Sequence, residues 1–157
     1  MSDSGTSRSA PREIEAPASR VFDLLVTPSE HHRLDASAMV GDTVISKRLT
    51  SVGDVFTMEM TYRSGAHVEH YRTDNHVTAL DEGRCVEWAV APHGEAPLGW
   101  RWRYELEPRG PHKTEVALVY DWTGTPEENM VRYGVPLFDE SQLVASLARL
   151  AEAVEGA

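Results

Sequence analysis

Trp100-Arg101-Trp102-Arg103-Tyr104-Glu105-Leu106 is the stretch that decides the fold. Large apolar side chains alternate there with charged ones, the period of two that belongs to a strand with one buried and one wet face. Working outward, the same period returns in Val86, Trp88 and Val90, and again in Val116, Leu118, Tyr120 and Trp122. It also returns in Phe56, Met58, Met60 and Tyr62, opposed by Thr57, Glu59 and Thr61. Turn signals separate these runs: Ser51-Val52-Gly53-Asp54, Arg63-Ser64-Gly65, Asp81-Glu82-Gly83, Pro92-His93-Gly94 and Pro108-Arg109-Gly110-Pro111. Short alternating runs joined by such turns predict an antiparallel meander between Met39 and Trp122.

Helical patterns flank the meander. A short strand ending near Glu15 leads into a helix with Pro17 in its first turn and Val21, Phe22, Leu24 and Leu25 on its apolar side. Pro28 stops that helix. Thr27-Pro28-Ser29-Glu30 then reads as a capping box opening a second, short helix through Arg33. Beyond a loop at Thr123 to Asn129, Leu143, Leu147, Leu150 and Val154 form one stripe at i, i+4, i+7 and i+11, ending before Gly156. Val135 and Phe138 extend this helix toward its start, near Pro136. The expected architecture is α+β: about seven strands, two short helices after the first, and a long last helix.

Composition narrows the function classes. The chain has 157 residues, 41% hydrophobic and 25% charged, enough for one domain with a real core. Met1 to Ser9 is Ser-rich and reads as a flexible lead-in, so the domain is expected over residues 10–157. The net charge of −10, with basic residues scattered, opposes binding to phosphate backbones and to anionic membranes. Nucleic acid is therefore not an expected partner. No run approaches the ~20 apolar residues that span a bilayer. One cysteine, Cys85, and no apolar leader fit a cytoplasmic location.

Several segments, read together, carry a resemblance to a known superfamily. They are Ile14-Glu15-Ala16-Pro17-Ala18 running into Val21-Phe22-Asp23-Leu24-Leu25, then Val52-Gly53-Asp54-Val55-Phe56. Further on come Gly83-Arg84 with Val86-Glu87-Trp88, the 100–106 stretch, and Thr114-Glu115-Val116 running into Tyr120-Asp121-Trp122-Thr123-Gly124. Together they resemble the START-like or SRPBCC superfamily, which includes polyketide cyclase/dehydrase and lipid-transport types. The resemblance covers residues 8–155 and implies a helix-grip fold: a curved sheet wrapped around the long last helix, with a cavity between them.

Met58, Met60, Tyr62, Trp88, Trp100, Trp102 and Tyr104 then become the expected cavity wall, with Leu143 and Leu147 contributed by the helix. Thioethers adapt to irregular shapes, and Tyr and Trp bring polar tips to an apolar surface. Alternation alone also permits these side chains to fill the interior. His70, Arg72, Asp74 and His76 share a face that reads as outer surface, so Tyr71, Thr73, Asn75 and Val77 face inward.

Catalytic signals are sparse. The adjacent His31 and His32 diverge by about 100° on a helix and do not share an ion, and no other spacing matches a metal site, so no metal and no cofactor is expected. Cys85 lies opposite Val86 and Trp88 and reads as a small spacer. No Gly-x-Ser-x-Gly elbow, phosphate loop or dinucleotide fingerprint occurs. For acid/base chemistry Tyr71, Asn75 and Asp35 are the candidates, the last in the loop after the short helix. The leading expectation is a carrier or sensor binding a lipid, polyketide or aromatic metabolite. A cyclase or dehydratase using the same cavity is the alternative, followed by a protein-interaction module. Monomer and homodimer both stay open.

Overall fold

The computed structural model describes residues 2–3, 5–44 and 47–156. Among these described residues, eight strands form one antiparallel sheet: β1 (Ser2–Asp3), β2 (Ser7–Ile14), β3 (Val40–Thr43), β4 (Val55–Ser64), β5 (His67–Asp81), β6 (Cys85–Pro92), β7 (Arg101–Pro108) and β8 (Thr114–Asp121). Their spatial order is β1-β2-β8-β7-β6-β5-β4-β3. From β3 to β8 each strand pairs with the next, as short turns demand. The exception is the step from β2 to β3, which crosses to the far edge and carries helices α1 (Ala18–Leu25) and α2 (His31–Leu34). The 15-residue β5 has a register shift between Val77 and Ala79, an irregularity of the kind that bends a sheet.

The long helix α4 (Glu140–Glu155) packs against β2 and α2. Leu143, Leu147, Leu150 and Val154 are each 2% exposed or less, so the predicted stripe is the buried one. Each such side chain contributes roughly 1.5–3 kcal/mol by leaving water. The helix starts where its cap chemistry is complete. Asp139 Oδ1 accepts from the Gln142 backbone N–H, and Gln142 Oε1 accepts from the Asp139 N–H.

Three local expectations are corrected. The 123–139 region holds a further helix, α3 (Glu127–Tyr133), which ends at Gly134 in a left-handed conformation. Val135 and Phe138 therefore lie in a connector and not in α4; their apolar spacing reflects packing on the core. The Thr27–Glu30 capping box does not form. The Thr27 hydroxyl donates instead to Asp23 O at 2.6 Å, and the Glu30 carboxylate pairs with Arg33 at 2.7 Å. Finally, β2 begins at Ser7, inside the expected flexible segment, because Ser7–Ile14 finds a full set of partners on β8. Met1 and Ser4 of that segment lie outside the described residues.

Candidate functional site

Between the concave face of the sheet and α4 lies a cavity of about 940 Å³. Its wall follows from the period-two alternation, which sends Met58, Met60 and Tyr62 of β4, Tyr71, Thr73 and Asn75 of β5, Trp88 of β6 and Trp102 and Tyr104 of β7 to one side. Trp100, just before β7, and Leu143 of α4 join them. Leu147, predicted for the lining, does not reach it: one turn further along α4 it is sealed in the core at 1% exposure. Exposed lining residues mark the mouth. They include Tyr62, Glu69 and Arg72 at the β4–β5 end, Glu95 beyond β6, Val131 and Arg132 on α3, and Gly134 and Leu137 after it.

The wall is built of rings in contact. Trp102 stacks on Tyr120 with centroids 4.5 Å apart and planes 11° apart, and Phe138 closes on both. The Tyr120 hydroxyl accepts a hydrogen bond from Leu137 N–H at 3.2 Å, which fastens the α3–α4 connector to the sheet. A second aromatic corner holds His31, a residue the sequence reading set aside. Its ring stacks on Trp88 at 5.2 Å and stands edge-on to Phe56 at 5.2 Å, while Trp88 continues to Tyr104 at 6.1 Å. The available signal was the i, i+3 pair His31 and Leu34 on the inner side of α2; both are buried.

Electrostatics in the cavity follow burial. Desolvation pulls the His31 pKa down to about 4, partly opposed by its hydrogen bond to the Leu25 carbonyl, so the imidazole is neutral near pH 7. A carbonyl only accepts, so Nε2 carries the proton toward Leu25 O at 2.7 Å and Nδ1 keeps its lone pair. Tyr104 is pushed upward by burial and by the charge of Asp35, and stays a hydroxyl. Tyr71 is pushed up to about 12 by burial, then by Glu69 and Tyr62.

Asp35, Tyr71 and Asn75 all line the cavity. Asp35 Oδ2 is held by the Ser37 hydroxyl at 2.5 Å and the Ser37 N–H at 3.1 Å. Tyr71 and Asn75 are four residues apart on β5, about 13 Å at strand rise. They do not meet at one reacting atom. Asn75 donates from Nδ2 to Phe56 O at 3.2 Å and to Thr73 Oγ1 at 3.3 Å.

The opposite face of the same strands carries the polar row. His70 pairs with Thr61 and Arg72 with Glu59, both exposed. Asp74, read from sequence as surface, is 9% exposed. Its carboxylate accepts from Thr57 Oγ1 at 2.7 Å, His93 Nδ1 at 2.9 Å and Gly94 N–H at 2.8 Å. Burial alone would raise its pKa, but these donors outweigh burial and hold it at about 2. Asp74 thereby ties the β6–β7 loop, whose Glu95 and Leu98 border the cavity, to the sheet. Gly99 fixes the other end of that loop. At φ +130° a Cβ there would lie 2.4 Å from Thr125 Cα.

Cys85 is buried on the outer side beside Arg103 and Glu105, and burial raises its thiol, so it is not a ready nucleophile. Among the described residues, no three His, Cys, Asp or Glu side chains converge as metal ligands would. No described helix is long and apolar enough to cross a membrane.

No family model matches the chain. The uncharacterized protein Rv0088 of Mycobacterium tuberculosis is 31% identical over 145 residues, covering 89% of this chain and 60% of that protein. A second M. tuberculosis protein, MT0096, is 30% identical over the same length. The chain thus spans 60% of the length of these curated relatives. Protein CV1439 of Chromobacterium violaceum superposes with a TM-score of 0.67 at 18% identity, covering 96% of this chain and 98% of that one. The Zhui aromatase/cyclase from Streptomyces sp. R1128 gives 0.61 at 14% identity, with coverages of 95% and 93%. The Aha1 dimer from Colwellia psychrerythraea gives 0.57 at 17%, with coverages of 95% and 96%. At these identities the likeness establishes the fold, a helix-grip sheet closed on its last helix.

Proposed function

We propose that this domain belongs to the START-like or SRPBCC superfamily and binds a small hydrophobic molecule in its cavity, as a carrier or sensor. The observation that carries the proposal is the cavity of about 940 Å³ walled by Trp, Tyr and Met side chains. That volume is at the upper end of the ~300–1,000 Å³ that small-molecule sites offer. A lipid, a polyketide or another ring-bearing metabolite would satisfy such a wall. The aromatase/cyclase among the structural neighbours makes aromatic compounds the first panel to try. The spacing of Tyr71 and Asn75, about 13 Å along β5, supports binding over cyclase or dehydratase chemistry by that pair, since such chemistry needs an acid and a base at one site. A reducing, cytoplasmic setting suits the lone thiol.

Native mass spectrometry of the gently purified chain, followed by calorimetry with fatty acids and polycyclic aromatics, tests this reading. A retained or added ligand is expected. Val90→Trp, which puts an indole into the half-open lining opposite Asn75, should weaken binding on the order of tenfold while leaving the Tm near that of the parent. If nothing is retained and no compound gives heat, the cavity is not a binding site.

A further inference from the structure

Two polar side chains flank Phe56 on the cavity wall, and the protein has already used the donors of both. Phe56 pairs with Asn75 across β4 and β5, and the His31 ring stands edge-on to it at 5.2 Å. His31 gives its Nε2 proton to Leu25 O at 2.7 Å. Asn75 gives its amide protons to Phe56 O at 3.2 Å and Thr73 Oγ1 at 3.3 Å. Leu25 O and Phe56 O can only accept, so the tautomer of His31 and the orientation of the Asn75 amide are both determined. What remains is a lone pair on His31 Nδ1 and another on Asn75 Oδ1. Neither atom is among the sealed, partnerless polar atoms of the described residues, which are His76 Nε2 and Thr125 Oγ1. Both therefore keep contact with open volume.

The charges around the cavity agree. Its only cationic lining residues among those described, Arg72 and Arg132, are exposed at the mouth, and Arg72 is paired with Glu59 at 3.0 Å. Asp35, Glu69 and Glu95 are the lining carboxylates. A buried anion without a partner is costly, and one facing lone pairs is worse.

We infer that the site selects a neutral ligand that places a hydrogen-bond donor, an aromatic or alicyclic hydroxyl, against His31 Nδ1, with Asn75 Oδ1 as a second acceptor on the same wall, and that it discriminates against ionised carboxylates. This rests on the binding reading above and specifies its ligand. A ring carrying the hydroxyl would lie among Phe56, Trp88 and Tyr104, where aromatic faces and edges are already presented.

The test uses three probes of equal skeleton on the full chain at pH 7: 2-naphthol, 2-methoxynaphthalene and 2-naphthoate, titrated by calorimetry. 2-Naphthol is expected to bind about tenfold more tightly than the methyl ether, the fold-change of one hydrogen bond. 2-Naphthoate is expected to bind more weakly than either. His31→Phe keeps the ring stack and should reduce the naphthol preference to about twofold or less. Should that variant fail to fold, the His31 Nδ1 resonance of the parent, followed by ¹⁵N NMR, should move on adding naphthol and stay in place with the ether. Naphthoate binding as tightly as naphthol, or an unmoved Nδ1 resonance, overturns the polarity assignment and leaves the cavity reading standing. No binding by any of the three overturns the polarity assignment, and the cavity reading falls with it only if the retained-ligand and fatty-acid tests above are negative too.

Discussion

Replacing Asp74 with Asn probes a carboxylate that the sheet has buried on its outer face. In the parent chain three donors converge on it: the Thr57 hydroxyl, His93 Nδ1 and the Gly94 N–H. They hold its pKa at about 2 against an ordinary value of 3.8. At 1.36 kcal/mol per pH unit, that difference corresponds to about 2 kcal/mol of folding stability. The folded pKa lies below the unfolded one, so this stability is present above pH 3.8 and disappears as the pH falls through about 2. An amide cannot accept at both ends, and its NH₂ group would face either Gly94 N–H or the Thr57–His93 pair. Asp74→Asn should therefore lose about 2 kcal/mol at pH 7, and the gap should shrink to about 1 kcal/mol near pH 3. Urea unfolding of both proteins at pH 7, 5 and 3 reads this directly. A gap below about 0.5 kcal/mol at pH 7, or one that does not narrow on acidification, refutes the assignment of Asp74 as a charge-dependent tie.

Other perturbations test other parts of the frame. Leu147→Ala should cost about 2–5 kcal/mol in urea unfolding, since it empties a sealed position. Its effect on ligand affinity should be small, because Leu147 lies outside the lining. The parent should lose about 3 kcal/mol between pH 6.5 and 4, where the unfolded chain takes up a proton that buried His31 refuses. His31→Phe should lack that slope in pH-dependent thermal melts. Asp139→Ala should lower stability by about 1 kcal/mol through loss of the α4 cap, visible as a shifted urea midpoint. Gly99→Ala adds strain at φ +130° and a collision with the Thr125 backbone, so a thermal shift assay should show a Tm lowered by about 5 °C or more.

The strands were legible because period-two alternation is a direct image of a sheet with two unlike faces, and the 100–106 stretch displays it without interruption. The stripe from Leu143 to Val154 was legible for the equivalent reason in a helix. Where the reading slipped, two local signals competed. Val135 and Phe138 carry helical spacing, but the cap pair Asp139 and Gln142 sets the true start of α4. Thr27 and Glu30 have capping-box chemistry, yet each finds a nearer partner. Periodicity also says which residues turn inward without saying how deep they lie. Leu143 and Leu147 share a stripe, but only the first meets the cavity. His31 was hidden because its role depends on Leu25, Phe56 and Trp88, which come together only after the helices dock on the sheet.

The outer faces of β4 to β7 bind one another through Thr57–Asp74–His93, Glu59–Arg72 and Thr78–Glu87, with Glu87 also reaching Arg101 and Arg103. Neighbouring strands are thus fastened from behind by contacts that owe nothing to the rings in front. The two tasks of the sheet are written in alternate letters of the same words. Bulk can be added to or pared from Met58, Met60 or Trp100 without touching a single one of those ties. A chain built this way can be given a differently shaped cavity by changing every second residue, while the odd-numbered row behind keeps the register of β4 unchanged.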